Sequence, residues 1–292
     1  MGGIAFQPPC PSYHPLEYQG QLLWVPREAG RPVHAGIPCL LLQRPRASRL
    51  LVYFHANAED LGRVYGMVAQ LGVELGIHVL AVEYPGYGIC SGSASEETVL
   101  ADAESVLRFL THQLEVPLGS LLMMGRSLGG GPAIFLASRH PCAGLVTLSA
   151  FSSLRTVVGS FLGWGSWFPD VFDNEKRIRT VRCPTLVIHG LDDRIVEVGQ
   201  ARELARACGA DVTPRPVVEL SIRPGVDHNN FDMDDDVVAP VQSAFPELRR
   251  GTRLWLDVAA GWLRQRTQRL APDVAERVPY TQDCKPPGVS AD

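Results

Sequence analysis

Ser127 stands in the pentapeptide Gly125-Arg126-Ser127-Leu128-Gly129, between the apolar run Leu121-Leu122-Met123-Met124 and a small-residue segment from Gly130 to Ser138. A serine flanked by glycines two residues away on either side, at a strand-to-helix junction, reads as a nucleophile elbow. The sharp turn projects the hydroxyl, and the glycines let the strand and helix backbones approach without a Cβ clash. A serine hydroxyl is a weak nucleophile at neutral pH, so attack requires an adjacent base. An imidazole suits that role because it titrates near neutrality and can pass the proton to a leaving group. An acid must then fix the imidazole tautomer and stabilise the imidazolium. His228, in Pro224-Gly225-Val226-Asp227-His228, is the candidate base. Asp192 and Asp193, in His189-Gly190-Leu191-Asp192-Asp193, are the candidate acids. Such chemistry is acyl transfer, and it also needs amide donors for an oxyanion. The N–H of Leu128 is one; the loop His55 to Asp60 supplies the other, from Asn57 in first place and Ala56 in second. Asn57 as a simple helix cap is compatible with the same assignment.

The elements that must position these groups alternate between strand and helix patterns. Strands are expected at Ile37 to Gln43, Leu50 to Phe54, His78 to Val82, Leu121 to Met124, Gly144 to Leu148, Thr185 to Ile188 and within Val217 to Ile222. The continuous apolar run at Leu50 to Phe54 suits a strand buried on both faces. Helices are expected from Leu61 to Leu75, where Val64, Val68 and Leu71 recur at three- and four-residue spacing. Others are expected at Glu96 to Leu114, after the elbow, near Glu197 to Cys208, and around Leu254 to Leu263. This alternation predicts an α/β fold with a mostly parallel sheet flanked by helices. Functional groups in such sheets gather beyond the carboxyl ends of the strands. Ser127, the Asp192/Asp193 pair and His228 each follow a strand in that way. His55 and His189 also follow strands and are expected to shape loops.

Composition narrows the function classes. The chain has 292 residues, 46% hydrophobic and 20% charged, with a formal net charge of −4, which offers no basic field for nucleic acid. No apolar run approaches the roughly 20 residues of a membrane span. The start of the chain lacks the pattern of a signal peptide. Seven scattered cysteines without CxxC spacing (Cys10, Cys39, Cys90, Cys142, Cys183, Cys208 and Cys284) predict reduced thiols in a cytoplasmic protein rather than a disulfide frame or zinc site. The acidic run Asp232, Asp234, Asp235 and Asp236 reads as a solvated face or an acidic first helical turn. No metal or cofactor is expected.

Residues 150–175 interrupt the alternation and are rich in aromatics, as a short cap would be. Phe161, Trp164 and Trp167 are expected either to line an apolar substrate pocket, to face a membrane surface or to pack a small cap core. Residues 1–15 form an N-terminal extension, 16–270 the main domain, and 271–292, rich in proline and polar residues, a loose tail.

Over residues 15–268 the chain resembles the α/β-hydrolase superfamily, and within it the α/β-hydrolase-domain serine hydrolases that include protein depalmitoylases. The phrases that carry the resemblance are Tyr53-Phe54-His55-Ala56-Asn57-Ala58-Glu59-Asp60-Leu61-Gly62, Glu83-Tyr84-Pro85-Gly86-Tyr87-Gly88, the Ser127 pentapeptide, and Val187-Ile188-His189-Gly190 with Asp193. Pro8-Pro9 through Tyr13 looks like the segment that precedes that domain. The order Ser, Asp, His matches the family's chain order. The acid there falls four residues past the histidine of the strand-end turn, which favours Asp193 over Asp192. The resemblance implies hydrolysis of acyl thioesters or esters by Ser127, Asp193 and His228, with S-acylated proteins or small acyl esters as substrates. Two departures stand out. The family shows His-Gly where this chain has His55-Ala56. The membrane-anchored depalmitoylases carry an N-terminal cysteine cluster where this chain has Cys10 alone, and Phe6 replaces the Ser or Thr that myristoylation at Gly2 would want. At most transient membrane association is therefore expected. A general carboxylesterase, lipase or peptidase of the same fold is the alternative among enzymes. A catalytically silent hydrolase-fold interaction module is the alternative outside them.

Overall fold

The computed structural model describes residues 5–27, 36–157 and 171–248. The expected helix around Leu254 to Leu263, the tail, and the aromatics Phe161, Trp164 and Trp167 lie outside the described residues.

Eight strands form one sheet: β1 (Leu22–Val25), β2 (Ile37–Leu42), β3 (Leu50–Phe54), β4 (His78–Val82), β5 (Leu121–Arg126), β6 (Gly144–Leu148), β7 (Thr185–Gly190) and β8 (Val218–Arg223). Their spatial order is β1-β2-β4-β3-β5-β6-β7-β8. The pairings of β1 with β2 and β2 with β4 are antiparallel; those from β4 through β8 are parallel. The described helices are α1 (Leu61–Leu75), α2 (Glu96–Arg108), α3 (Gly130–Arg139), α4 (Asn174–Ile178), α5 (Val198–Ala207) and α6 (Ala239–Ala244).

Alternation along each strand divides the interior into two cores. Leu50, Val52 and Phe54 of β3 face the core shared with α2, α3 and α5, while Leu51 and Tyr53 face the one shared with α1 and α6. Leu61, Val64, Val68, Leu71 and Leu75 of α1 are all buried there, each such side chain contributing roughly 1.5–3 kcal/mol. Asp60 caps α1 by accepting the Arg63 N–H, and Gly76 closes it in the left-handed region at φ 66°. Asn57, offered as a possible cap, is therefore not the cap.

The sequence pattern of one helix from Glu96 to Leu114 resolves into two pieces. The α-helix ends at Arg108, and Phe109–Gln113 continue as a π-helical turn. The acidic run opens a helical turn: Asp232 accepts the N–H groups of Asp234 and Asp235, and Asp236 pairs with Arg223 at 2.7 Å. The segment 5–15 is anchored by two side chains, Phe6 in one core and Tyr13 in the other. Cys39, Cys90, Cys142, Cys183 and Cys208 are buried free thiols. Among the described residues no helix is long and apolar enough to cross a membrane.

Candidate active site

β5 delivers its last residue, Arg126, to the carboxyl edge of the sheet, and Ser127 follows at φ 50°. That left-handed conformation is unfavourable for a residue with a Cβ and is held only where the surroundings over-determine it. The flanking glycines show what does so. A Cβ on Gly125 would overlap the Gly129 carbonyl, and a Cβ on Gly129 would overlap the Phe54 carbonyl of β3. The elbow is thus wedged against its own strand and its neighbour, and α3 begins at once at Gly130.

β7 and β8 bring the other two groups across β6. The His228 Nε2 lies 3.1 Å from the Ser127 Oγ, and His228 Nδ1 lies 2.7 Å from Asp193 Oδ2. The second Asp193 oxygen accepts the N–H groups of Ile195 at 2.9 Å and Val196 at 2.8 Å. Burial alone would raise the Asp193 carboxyl, but the His228 contact and these two amides outweigh it and hold the group below its ordinary range. A carboxylate at Nδ1 fixes the tautomer that leaves Nε2 as acceptor for the serine hydroxyl. Asp192, by contrast, is exposed, and its backbone N–H serves the Val226 carbonyl. The structure thus brings Ser127, Asp193 and His228 together and leaves Asp192 outside.

His189 is fully buried beside this chain of contacts. Its Nε2 donates to the Val196 carbonyl at 2.7 Å and lies 3.4 Å from Asp193 Oδ2. Burial holds its pKa below the ordinary imidazole value, so it stands as a neutral support for the Asp193 turn.

Ser127 and His228 open on a cavity of about 450 Å³ that Leu128 and Asn57 also line. The Ala56 N–H donates to Glu59 Oε2 at 3.0 Å and the Ala58 N–H to Asn57 Oδ1 at 3.2 Å, so the amides on either side of Asn57 are engaged within the loop. The Asn57 side chain is taken up by the N-terminal segment and Tyr87. Its Oδ1 accepts from the Gln7 N–H at 2.9 Å and the Tyr87 hydroxyl at 2.6 Å, and its Nδ2 donates to the Ala5 carbonyl at 3.0 Å. The N-terminal segment is in this way strapped over the loop, and Ala5 and Gln7 become part of the cavity wall.

One side of the remaining wall is apolar, formed by Phe151, Leu154 and Val157 beyond β6 and by Ile195 and Val196 beyond β7, while Glu59 and Asn229 make another side polar. Sequence reasoning placed the apolar lining on the aromatics of residues 150–175, Phe151 among them with Phe161, Trp164 and Trp167, and missed Leu154, Val157, Ile195 and Val196. Their signal was positional, since each follows the carboxyl end of a strand that flanks the site. Among the described residues no cluster of His, Cys, Asp and Glu has the arrangement of a metal site.

Comparison with known proteins agrees with this architecture. Residues 67–157 match the family described as an alpha/beta hydrolase of unknown function (DUF1057). The alpha/beta hydrolase domain-containing protein aho-3 of Caenorhabditis elegans is 30% identical over 249 residues, covering 79% of this chain and 73% of that one. The human alpha/beta hydrolase domain-containing protein 17C is 29% identical over 197 residues, covering 67% of this chain but only 57% of its own length. Among solved structures, Est1E from Butyrivibrio proteoclasticus superposes with a TM-score of 0.60 at 14% identity, over 78% of this chain and 98% of that one. The mouse alpha/beta hydrolase domain-containing protein 10 gives 0.55 at 15% identity, over 78% and 99%. At such identities the structural likeness speaks for the fold alone. Sheet order, elbow and the long match to the nematode protein together make this chain a member of the α/β-hydrolase superfamily.

Proposed function

We propose that the chain is a serine hydrolase that cleaves acyl thioesters or esters through an acyl-enzyme intermediate, and that its substrates are S-acylated proteins. The observation that carries the reading is the unbroken contact series from Ser127 through His228 to Asp193, opening on a cavity with one apolar side. His228 takes the Ser127 proton as Oγ attacks the acyl carbonyl, and the resulting oxyanion is met by the N–H groups of Leu128 and Asn57. His228 then protonates the leaving thiol or alcohol. In the second half a water, deprotonated by the same imidazole, releases the acid and restores Ser127. Phe151, Leu154, Val157 and Ile195 offer the acyl chain a surface with no hydrogen-bonding demand, which suits a hydrocarbon better than a peptide.

The choice of a thioester rests on the resemblance of the motif phrases to the depalmitoylase-containing group. Free thiols at Cys39, Cys90, Cys142, Cys183 and Cys208 suit a reducing, cytoplasmic setting. The test is hydrolysis of a palmitoyl-cysteine peptide, with Ser127→Ala as the blank. Turnover that disappears in the variant supports the thioesterase. Cleavage of short oxygen esters with the thioester left intact assigns the chain to the carboxylesterases instead. A protein that hydrolyses neither and resists fluorophosphonate at Ser127 is an interaction module.

A further inference from the structure

Arg126 fills the variable place before the nucleophile, and sequence reasoning gives it no task. Its guanidinium reaches three parts of the site at once. Nη1 donates to Glu59 Oε1 at 2.5 Å; Nη2 donates to the His228 carbonyl at 3.1 Å and to Asn229 Oδ1 at 2.9 Å. Glu59 uses its other oxygen, Oε2, to hold the Ala56 N–H. One planar group therefore joins the strand that carries Ser127, the peptide preceding the Asn57 amide, and the backbone of the base itself.

From this geometry we infer that Arg126, acting with Glu59, is a positioning residue of the site: it sets the oxyanion loop and the His228 loop at fixed places relative to Ser127. The inference rests on the serine-hydrolase reading above. Stability is a poor explanation for the arrangement. The Arg126 and Glu59 side chains keep 13% and 23% of their surface exposed, and the cost of desolvating such a partly buried pair offsets much of its attraction. Position is a better one, because an oxyanion donor or base displaced by a fraction of an ångström loses much of its effect. Chemistry also favours arginine for this place. Its two Nη groups are held in one plane, so the separation of the acceptors they bind is fixed by the fork. A lysine would bring one flexible ammonium and could satisfy one side only. The Glu59 link has a further consequence. By accepting the Ala56 N–H, the carboxylate occupies the competing amide and orients the peptide that leads to Asn57.

The test uses the rate of fluorophosphonate labelling of the full chain, separated into saturation (KI) and reaction (kinact), with Ser127→Ala as the blank. Arg126→Gln is expected to lower kinact about 10- to 100-fold while KI, the final labelled fraction and the melting temperature stay near wild type. Glu59→Gln leaves the guanidinium on the His228 carbonyl and is expected to lower kinact less. The double variant should be no slower than Arg126→Gln, since both changes cut the same chain of contacts. Arg126→Lys should remain slow. An unchanged kinact in Arg126→Gln overturns the inference, as does full recovery by lysine or losses that multiply in the double variant. A loss of labelled fraction and melting temperature at unchanged kinact also overturns it, by showing a merely structural role. Should Arg126→Gln fail to fold, Glu59→Gln decides alone: an unchanged kinact rejects the inference. Labelling that persists in Ser127→Ala, or is absent from the wild type, rejects the serine-hydrolase reading itself and is told apart by the blank.

Discussion

Two histidines in this molecule stand beside carboxylates just past the carboxyl ends of parallel strands, and they do opposite things. His55, after β3, has Nε2 2.9 Å from Glu83 Oε1 and Nδ1 2.9 Å from the Ala56 carbonyl. Both partners can only accept, so the ring fits with a proton on each nitrogen. Burial opposes that charge, but the Glu83 contact and the Ala56 carbonyl outweigh it and raise the His55 pKa. His228 meets one carboxylate and one hydroxyl, and the hydroxyl can donate. One nitrogen is thus left with a lone pair facing Ser127. Glu83 in turn accepts from the Tyr13 hydroxyl and the Leu61 N–H, which ties the strap, the oxyanion loop and α1 to one buried ion pair. A histidine beside an acid is therefore no mark of a base; the chemistry of its second partner decides.

The sharpest way to break the comparison is to neutralise each ring in turn. His228→Gln should abolish ester cleavage by about 10⁴-fold or more and leave the melting temperature close to wild type. A variant that retains a tenth of the activity would remove His228 from the base role. Next in size, Asp193→Asn should cost about 10³- to 10⁴-fold in kcat, because the amide favours the wrong tautomer. Asp192→Asn should stay within about threefold of wild type on the same exposed-surface logic. Equal losses at both positions would show that the 2.7 Å contact is not the one that matters.

Glu83→Gln addresses the other pair, and its effect falls on stability. Removing one partner of a buried ion pair costs about 3–5 kcal/mol, with kcat of the folded protein changed far less. The pH dependence carries a sign. The folded pKa of His55 is raised above the unfolded value near 6.5, so the stabilisation is complete below that pH and fades as pH rises through the folded pKa. The gap in melting temperature between wild type and Glu83→Gln should accordingly be widest in mild acid and narrow towards alkaline pH. A gap that widens with pH would mean that His55 is neutral in the folded protein.

How much of this was legible beforehand varies with the range of the forces involved. Leu50–Phe54 and Leu61–Leu75 announce themselves because burial on both faces, or on one stripe, leaves a periodic trace in the chain. The four residues of β1 were passed over: Leu22–Val25 are apolar and buried throughout, but so short a run does not tell a strand from a helix turn without its partner β2. The choice between Asp192 and Asp193 could not be made from turn chemistry, where either aspartate serves. It is made by which side chain the β7 turn points inward, and family spacing anticipated that direction. Arg126 and Glu59 were invisible for a different reason. Their meaning lies in contacts across 67 and 102 residues, and an arginine or glutamate in a loop ordinarily belongs to the surface. The strap was recognised as a segment of the resembling proteins but not as a wall of the cavity, because Ala5 and Gln7 act through backbone groups that any residue possesses.

The left-handed backbone at Ser127 has an evolutionary consequence. Glycine adopts φ near 50° without the steric cost that a serine meets there, so the most stable chain of this design is an inert one. Arg46, Ala58, Glu115, Ser149 and Phe172 hold comparable angles, so the posture alone does not report use; what sets Ser127 apart is that its hydroxyl meets His228. On the serine-hydrolase reading, a lineage that ceased to need the chemistry would have a thermodynamic incentive to lose it first at this residue.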